Sequence, residues 1–169
     1  DNTIIGFIGA GNMANSLIKG LLTKGKSPST VLASDVDLVK LEALREETKI
    51  ETMPSQESVD RADVIVLAVK PQVMRSVCLD LELSGSSKLI ISIAAGTTIA
   101  QLHQWLGDAT ALVRCMPNTP ALIGKGATGM FANDRVSHKQ RLVTQEIMGA
   151  VGTSAWVGSE SDIDIVTAI

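Results

Sequence analysis

The chain is 169 residues long with a net charge of −3, and its aromatic side chains reduce to Phe7, Trp105, Phe131 and Trp156. That length suits one domain with a core of its own, and the scarcity of rings and of clustered lysine or arginine argues against a nucleic-acid partner. Two cysteines (Cys78 and Cys115), no apolar run long enough to span a membrane and no leader-like segment before the first strand predict a cytoplasmic globular domain.

Residues 3–9 (TIIGFIG) are a buried strand run, and Met13, Leu17 and Leu21 then recur at helical spacing until Gly25. Residues 30–34 (TVLAS) form a second strand, followed by a charged helix with Leu38, Leu41 and Leu44 on one face. Residues 49–53 (KIETM) read as a short strand before a helical turn from Ser55. The continuous apolar run ADVIVLAV, residues 62–69, suits a strand covered on both faces. Pro71 opens the next helix, whose stripe is Met74, Val77, Cys78 and Leu81. Residues 88–96 (KLIISIAAG) are another buried strand, after which Thr98 and Gln101 form a capping box and Ile99, Leu102 and Leu106 face inward. TALVRCM and ATGMFA, residues 110–116 and 127–132, supply two more strands. Ser137 and Gln140 begin a helix carrying Val143, Ile147 and Val151, and TSAWV closes the alternation. Ser159 and Asp162 mark one more helix start, with Ile165, Val166 and Ile169 as its apolar face. This alternation predicts an α/β, Rossmann-type doubly wound and mostly parallel sheet with helices on both faces.

The first turn is Gly9-Ala10-Gly11-Asn12-Met13-Ala14, a G-x-G-x-x-A pattern between a strand and a helix. Gly9 permits the tight turn, Gly11 lets a pyrophosphate approach the backbone, and Ala14 allows close helix–strand packing. The second strand ends at Ser34 and Asp35. An acidic residue there accepts from the ribose 2′-hydroxyl of NAD, Ser34 suits either nucleotide, and no basic group follows before Lys40. Equally, Ser34, Asp35 or Asp37 caps the next helix. Three later strand ends face the same crevice: Ala68-Val69-Lys70-Pro71, Ala94-Ala95-Gly96 and the loop after Met116. Lys70, the one ionisable group of its stretch, reads as a phosphate neighbour or a solvated helix start before it reads as a catalyst. His103 and His138 read as surface residues, Cys78 as core, and Cys115 has no histidine near it in sequence. No metal-ligand spacing and no Ser/His/Asp pattern occurs. A dinucleotide without acid–base machinery points to hydride transfer, in which the cofactor carries the chemistry.

In this order, IGFIGAGNMA, VIVLAVKP, SIAAGTT and RCMPNTPA resemble the pyrroline-5-carboxylate reductase family along essentially the whole chain. The glycine pattern alone is unspecific; IAAG together with MPNTP is not. The resemblance implies reduction of 1-pyrroline-5-carboxylate to L-proline with NADPH or NADH, the hydride passing from nicotinamide C4 to C5 of an imine that is already electrophilic once protonated. Carried over by position, Ile8, Gly9, Ala10, Gly11, Asn12 and Met13 would hold the pyrophosphate. Ser34 would hold the adenosine ribose or its phosphate. Ala68, Val69, Lys70 and Pro71, with Ala94, Ala95 and Gly96, would border ribose and nicotinamide. Met116, Pro117, Asn118 and Thr119 would lie near the ring, and Glu160 at the edge of the substrate pocket.

The resemblance also implies an NADPH preference, from which Asp35 without a neighbouring arginine departs. It implies a second, all-helical domain, opening with an SGSGPA segment, that supplies the substrate-carboxylate ligands and forms a homodimer or higher homo-oligomer. Residues 1–158 therefore read as the dinucleotide domain and 159–169 as the start of a helix leading to that second domain. The chain alone is expected to bind cofactor and turn over poorly. Two rival readings are a related small-molecule NAD(P)-dependent reductase, which MPNTP speaks against, and a non-catalytic NAD(P)H-sensing module, which lacks an effector or DNA-binding element.

Overall fold

Apolar residues along each central strand are sent alternately to two opposite faces, and that alternation sets the architecture. The computed structural model describes residues 2–83, 87–117 and 126–163. Within them lie eight strands and six helices: β1 (Ile5–Ile8), α1 (Asn12–Thr23), β2 (Val31–Ser34), α2 (Leu38–Thr48), β3 (Glu51–Thr52), α3 (Ser55–Arg61), β4 (Val64–Leu67), α4 (Pro71–Asp80), β5 (Leu89–Ser92), α5 (Ile99–Leu106), β6 (Ala111–Pro117), β7 (Gly126–Ala132), α6 (His138–Met148) and β8 (Gly152–Trp156). They build one sheet in the order β3-β2-β1-β4-β5-β6-β7-β8. Every neighbouring pair is parallel except β6 with β7.

One face buries Phe7, Val64, Val66, Ile91 and Val113 against Leu17, Ile18 and Leu21 of α1, Leu41 and Leu44 of α2 and Ile147 of α6. The other buries Ile8, Ile65, Leu67, Ile90 and Leu112 against Val59 of α3, Met74 and Cys78 of α4 and Leu102 of α5. Strands covered on both faces cannot show a polar alternation, which is why they are written as continuous apolar runs. The doubly wound, mostly parallel sheet is thus the architecture expected from the sequence. The antiparallel step has a simple cause: only eight residues, 118–125, separate β6 from β7, too few for a parallel crossover.

Three local readings change. The helix expected to include Val151 stops at Met148 and tightens into a 3₁₀ turn over Gly149–Val151. Gly20 of α1 packs on that turn so closely that a Cβ there would stand 2.5 Å from the Ala150 carbonyl oxygen. The helix expected from Ser159 begins as a 3₁₀ turn, Glu160–Asp162, and the Ser159 hydroxyl donates to Asp162 Oδ2 (3.0 Å). Ile165, Val166 and Ile169 lie outside the described residues. His103, expected on the surface, is half-buried, its Nε2 2.8 Å from Asn133 Nδ2, whereas His138 is exposed.

Both cysteines are buried and free. Burial pushes the Cys78 thiol up to about 11 and raises that of Cys115 as well. A thiolate is the reactive form, so neither should react with a thiol-exchange reagent at neutral pH until the chain unfolds. A labelling time course with and without denaturant checks this; fast modification of the folded chain would contradict the burial.

Candidate functional site

The chain leaves β1 towards β2 on one side and enters β4 on the other, so a crevice opens at the carboxyl ends of these strands, the place where open α/β sheets take ligands. Gly9 begins the turn out of β1 with φ +107°, and its N–H donates to the Ser34 carbonyl at 2.8 Å. A Cβ there would stand 2.6 Å from the Ala68 carbonyl oxygen. Backbone conformation and the passage of the β4 end thus both demand glycine. Gly11 differs: its φ is ordinary, and a Cβ would meet nothing within 4 Å. It fronts open space.

Gly11 is also the N-cap of α1 and offers no side-chain acceptor to the first turn, which carries no acidic residue. Asp37 on α2, Thr98 on α5 and Ser137 on α6 do supply side-chain caps, the last two as full capping boxes, whereas α3 and α4, like α1, start without one. α1 therefore starts with unsatisfied N–H groups and the positive end of its dipole facing a space bounded by glycine backbone, which suits a pyrophosphate. A dinucleotide fits the residues present. Ile8 and Ala10 are buried, Gly11 and Met13 half-buried, and Asn12 is exposed at the rim.

The remaining candidates fall into three groups. Ala68 and Val69 are half-buried at the end of β4, and Lys70 and Pro71 are exposed at the start of α4. Ala94 is buried beyond β5, its N–H donating to Ser92 Oγ at 3.3 Å, while Ala95 and Gly96 are exposed. Met116 and Pro117 are half-buried at the end of β6. Asn118 and Thr119 lie outside the described residues.

Two expected ligands have partners inside the fold. Ser34 is 1% exposed; its hydroxyl bonds the Phe7 carbonyl oxygen (3.4 Å) and Ser55 Oγ (3.0 Å). Asp35 grips the glycine turn, Oδ2 accepting from Ala10 N–H and Oδ1 from Asp37 N–H, each at 2.8 Å. Glu160 is tied as well. Its Oε2 accepts from Arg114 Nη1 and from Ile99 N–H at the start of α5, both at 2.8 Å. That bond joins β6, α5 and the segment after β8 at one point. Arg114 was missed as a site residue, although a lone arginine within the apolar run ALVRCM demands a partner.

A cleft of about 1200 Å³ also opens at the opposite end of the sheet, lined by Asp63, Lys88, Arg135 and Lys139 among others. It is remote from the glycine turn and holds none of the expected ligands. Among the described residues no helix is long and apolar enough to cross a membrane.

A family model described as NADP oxidoreductase coenzyme F420-dependent matches residues 4–96, which contain the glycine turn, Asp35 and the ends of β4 and β5. The pyrroline-5-carboxylate reductase of Pseudomonas aeruginosa is 46% identical over 167 residues, 98% of this chain and 61% of that protein. The one from Pisum sativum is 33% identical over 171 residues, 100% of this chain and 62% of that protein. A solved pyrroline-5-carboxylate reductase from Coxiella burnetii superimposes with a TM-score of 0.97 at 40% identity, over 100% of this chain and 64% of its own. The pyrroline carboxylate reductase of Plasmodium falciparum, solved with NADP bound, gives 0.87 at 30% identity, over 99% and 62%. The chain spans about three-fifths of the length of these relatives. It belongs to the NADP oxidoreductase, coenzyme F420-dependent family, and the proteins it resembles along its whole length are pyrroline-5-carboxylate reductases.

Proposed function

We propose that the chain binds NADPH or NADH in the crevice above β1, and that as part of a longer protein it serves the reduction of 1-pyrroline-5-carboxylate to L-proline. The observation that carries this is the uncapped start of α1 over Gly11, beside a turn that only glycine can make at Gly9. Gly11, Asn12 and Met13 hold the pyrophosphate through backbone N–H groups, while Gly9 and Ala10, whose N–H groups go to the Ser34 carbonyl and to Asp35, shape the turn beneath it. Ala68, Val69, Lys70 and Pro71 line the ribose side. Ala94, Ala95 and Gly96 form the wall for the ring, small enough to let it lie flat, with Met116 beside them at the end of β6. When bound, the reduced nicotinamide supplies hydride to C5 of the cyclic imine, whose ring nitrogen already carries the proton. The chain's task is then to orient ring and imine and to keep water out, rather than to move a proton.

In the same reading, residues 1–158 are the nucleotide domain and 159–169 lead into a helical part that holds the substrate carboxylate and pairs subunits into a homodimer or larger homo-oligomer. Glu160, clamped by Arg114, sets where the chain leaves the nucleotide domain and so where that pocket edge lies. A cytoplasmic location fits the two unpaired cysteines. Fluorescence titration with NADH and NADPH, followed by addition of the imine while oxidation of the cofactor is recorded, tests the proposal. This chain is expected to bind, and the longer protein to turn over much faster than the chain alone. Failure to bind either nucleotide, or a longer protein inert towards the imine, would overturn it.

A further inference from the structure

We propose that the cleft at the amino ends of the strands is a binding site of its own, for a small organic anion carrying two or three negative charges on carboxylate or phosphoryl groups. The inference does not depend on the nucleotide crevice, which opens at the opposite end of the sheet. The floor of the cleft is apolar: Val64, Leu89 and Ala111, the first residues of β4, β5 and β6, are buried there. Its volume of about 1200 Å³ is more than a bare ion fills and is ample for a ligand with a short carbon skeleton.

The walls carry the charge. Lys88 stands just before β5, Arg135 between β7 and α6, and Lys139 in the first turn of α6, so three cations line the cleft. The fold holds these walls together, because Gln140 Nε2 on α6 donates to the Ser87 carbonyl oxygen at 3.2 Å. Lys88 Nζ donates to the carbonyl oxygens of Ala62 (2.6 Å) and Asp60 (3.3 Å), neutral acceptors that orient the ammonium and leave its charge unanswered. Among the described residues none of the three cations forms an ion pair. Asp63, the one carboxylate of the lining, is engaged elsewhere: its Oδ2 accepts from Ile4 N–H at 2.9 Å, and it also attracts Lys26, which does not line the cleft. The chain as a whole carries −3, so this excess of positive charge runs against the average of the molecule. A cleft with walls of one sign over an apolar floor concentrates the opposite charge. Ser137 opens α6 on the same wall and adds the positive end of that helix's dipole. A monovalent anion would leave most of this charge unanswered, whereas two or three negative charges match it.

Titration of the isotopically labelled chain with citrate and with 3-phosphoglycerate, followed through backbone amide shifts, tests this, with acetate as the monovalent control. NADH is kept present throughout, so that the glycine turn does not compete for the anion. Saturable changes should centre on Lys88, Arg135, Lys139 and Gln140 for at least one of the two polyanions. Citrate alone would mark the ligand as a polycarboxylate, and 3-phosphoglycerate alone as a phosphoryl compound. Acetate should bind about tenfold more weakly or less, and added salt should weaken the polyanions. Arg135 and Lys139 are exposed, so Arg135→Gln combined with Lys139→Gln should leave the remaining amide signals in place and weaken polyanion binding about tenfold. No saturable change at these amides with either polyanion, affinity unaltered in the double variant, or acetate binding as tightly as the polyanions would overturn the inference.

Discussion

Gly9→Ala is expected to abolish nucleotide binding and to cost about 3 kcal/mol of stability, the sum of a disfavoured backbone conformation and an overlap with fixed neighbours. The residue has φ +107°, and the new methyl would stand 2.6 Å from the Ala68 carbonyl oxygen and 2.8 Å from its carbonyl carbon. Neither is the far end of a flexible side chain; both are backbone at the end of β4. Relief requires the glycine turn to move away from β4, which also disturbs the Gly9–Ser34 bond and the Ala10–Asp35 bond. Gly11→Ala is the informative contrast. Its methyl meets nothing and its φ is ordinary, so only the poorer N-cap preference of alanine opposes it, and stability should fall by no more than about 1 kcal/mol. Nucleotide affinity should nonetheless fall, because the methyl occupies the space in front of α1. Denaturant unfolding and nucleotide titration of both variants separate the roles. Equal stability losses in the two would contradict this division.

The second large effect is an asymmetry. Glu160→Ala should cost roughly 3 kcal/mol, and Arg114→Met distinctly less, because a buried charge stripped of its partner costs more than a half-exposed one. The Arg114 side chain is 7% exposed and that of Glu160 is 28% exposed. Removing the glutamate leaves a guanidinium enclosed in the sheet and the Ile99 N–H without its acceptor. Removing the arginine leaves a carboxylate that can still turn to water and to Ile99, while methionine fills most of the volume. Urea unfolding of the two variants measures the order. Arg114→Met as costly as Glu160→Ala would contradict it.

The sheet was legible because β1, β4 and β5 are covered on both faces, and four-residue runs such as VIVL have no other soluble home. The glycine turn was legible because its spacing answers a local steric problem. Side-chain pairings were not. Asp35 could be read as a ribose ligand or as the cap of the next helix; its bond to backbone 25 residues upstream shows in neither reading, because that contact exists only once β1 and β2 are in register. Arg114 and Glu160 are 46 residues apart, and nothing local couples them. His103 looked superficial because its partner, Asn133, follows β7, whose antiparallel return brings it back beside α5. Such contacts depend on register across strands, whereas apolar periodicity reports only which face is covered.

Where the nucleotide sits is the claim on which the rest depends. Backbone amide chemical shifts of the isotopically labelled chain, recorded during a titration with NADH, test it most directly. The largest changes should fall on Gly9, Ala10, Gly11, Asn12 and Met13, with further changes at Val69, Lys70, Ala95 and Gly96. Asp63, Lys88, Arg135 and Lys139, which line the cleft at the other end of the sheet, should stay unmoved. Changes centred on that cleft, or none at the glycine turn at saturating nucleotide, would contradict the account.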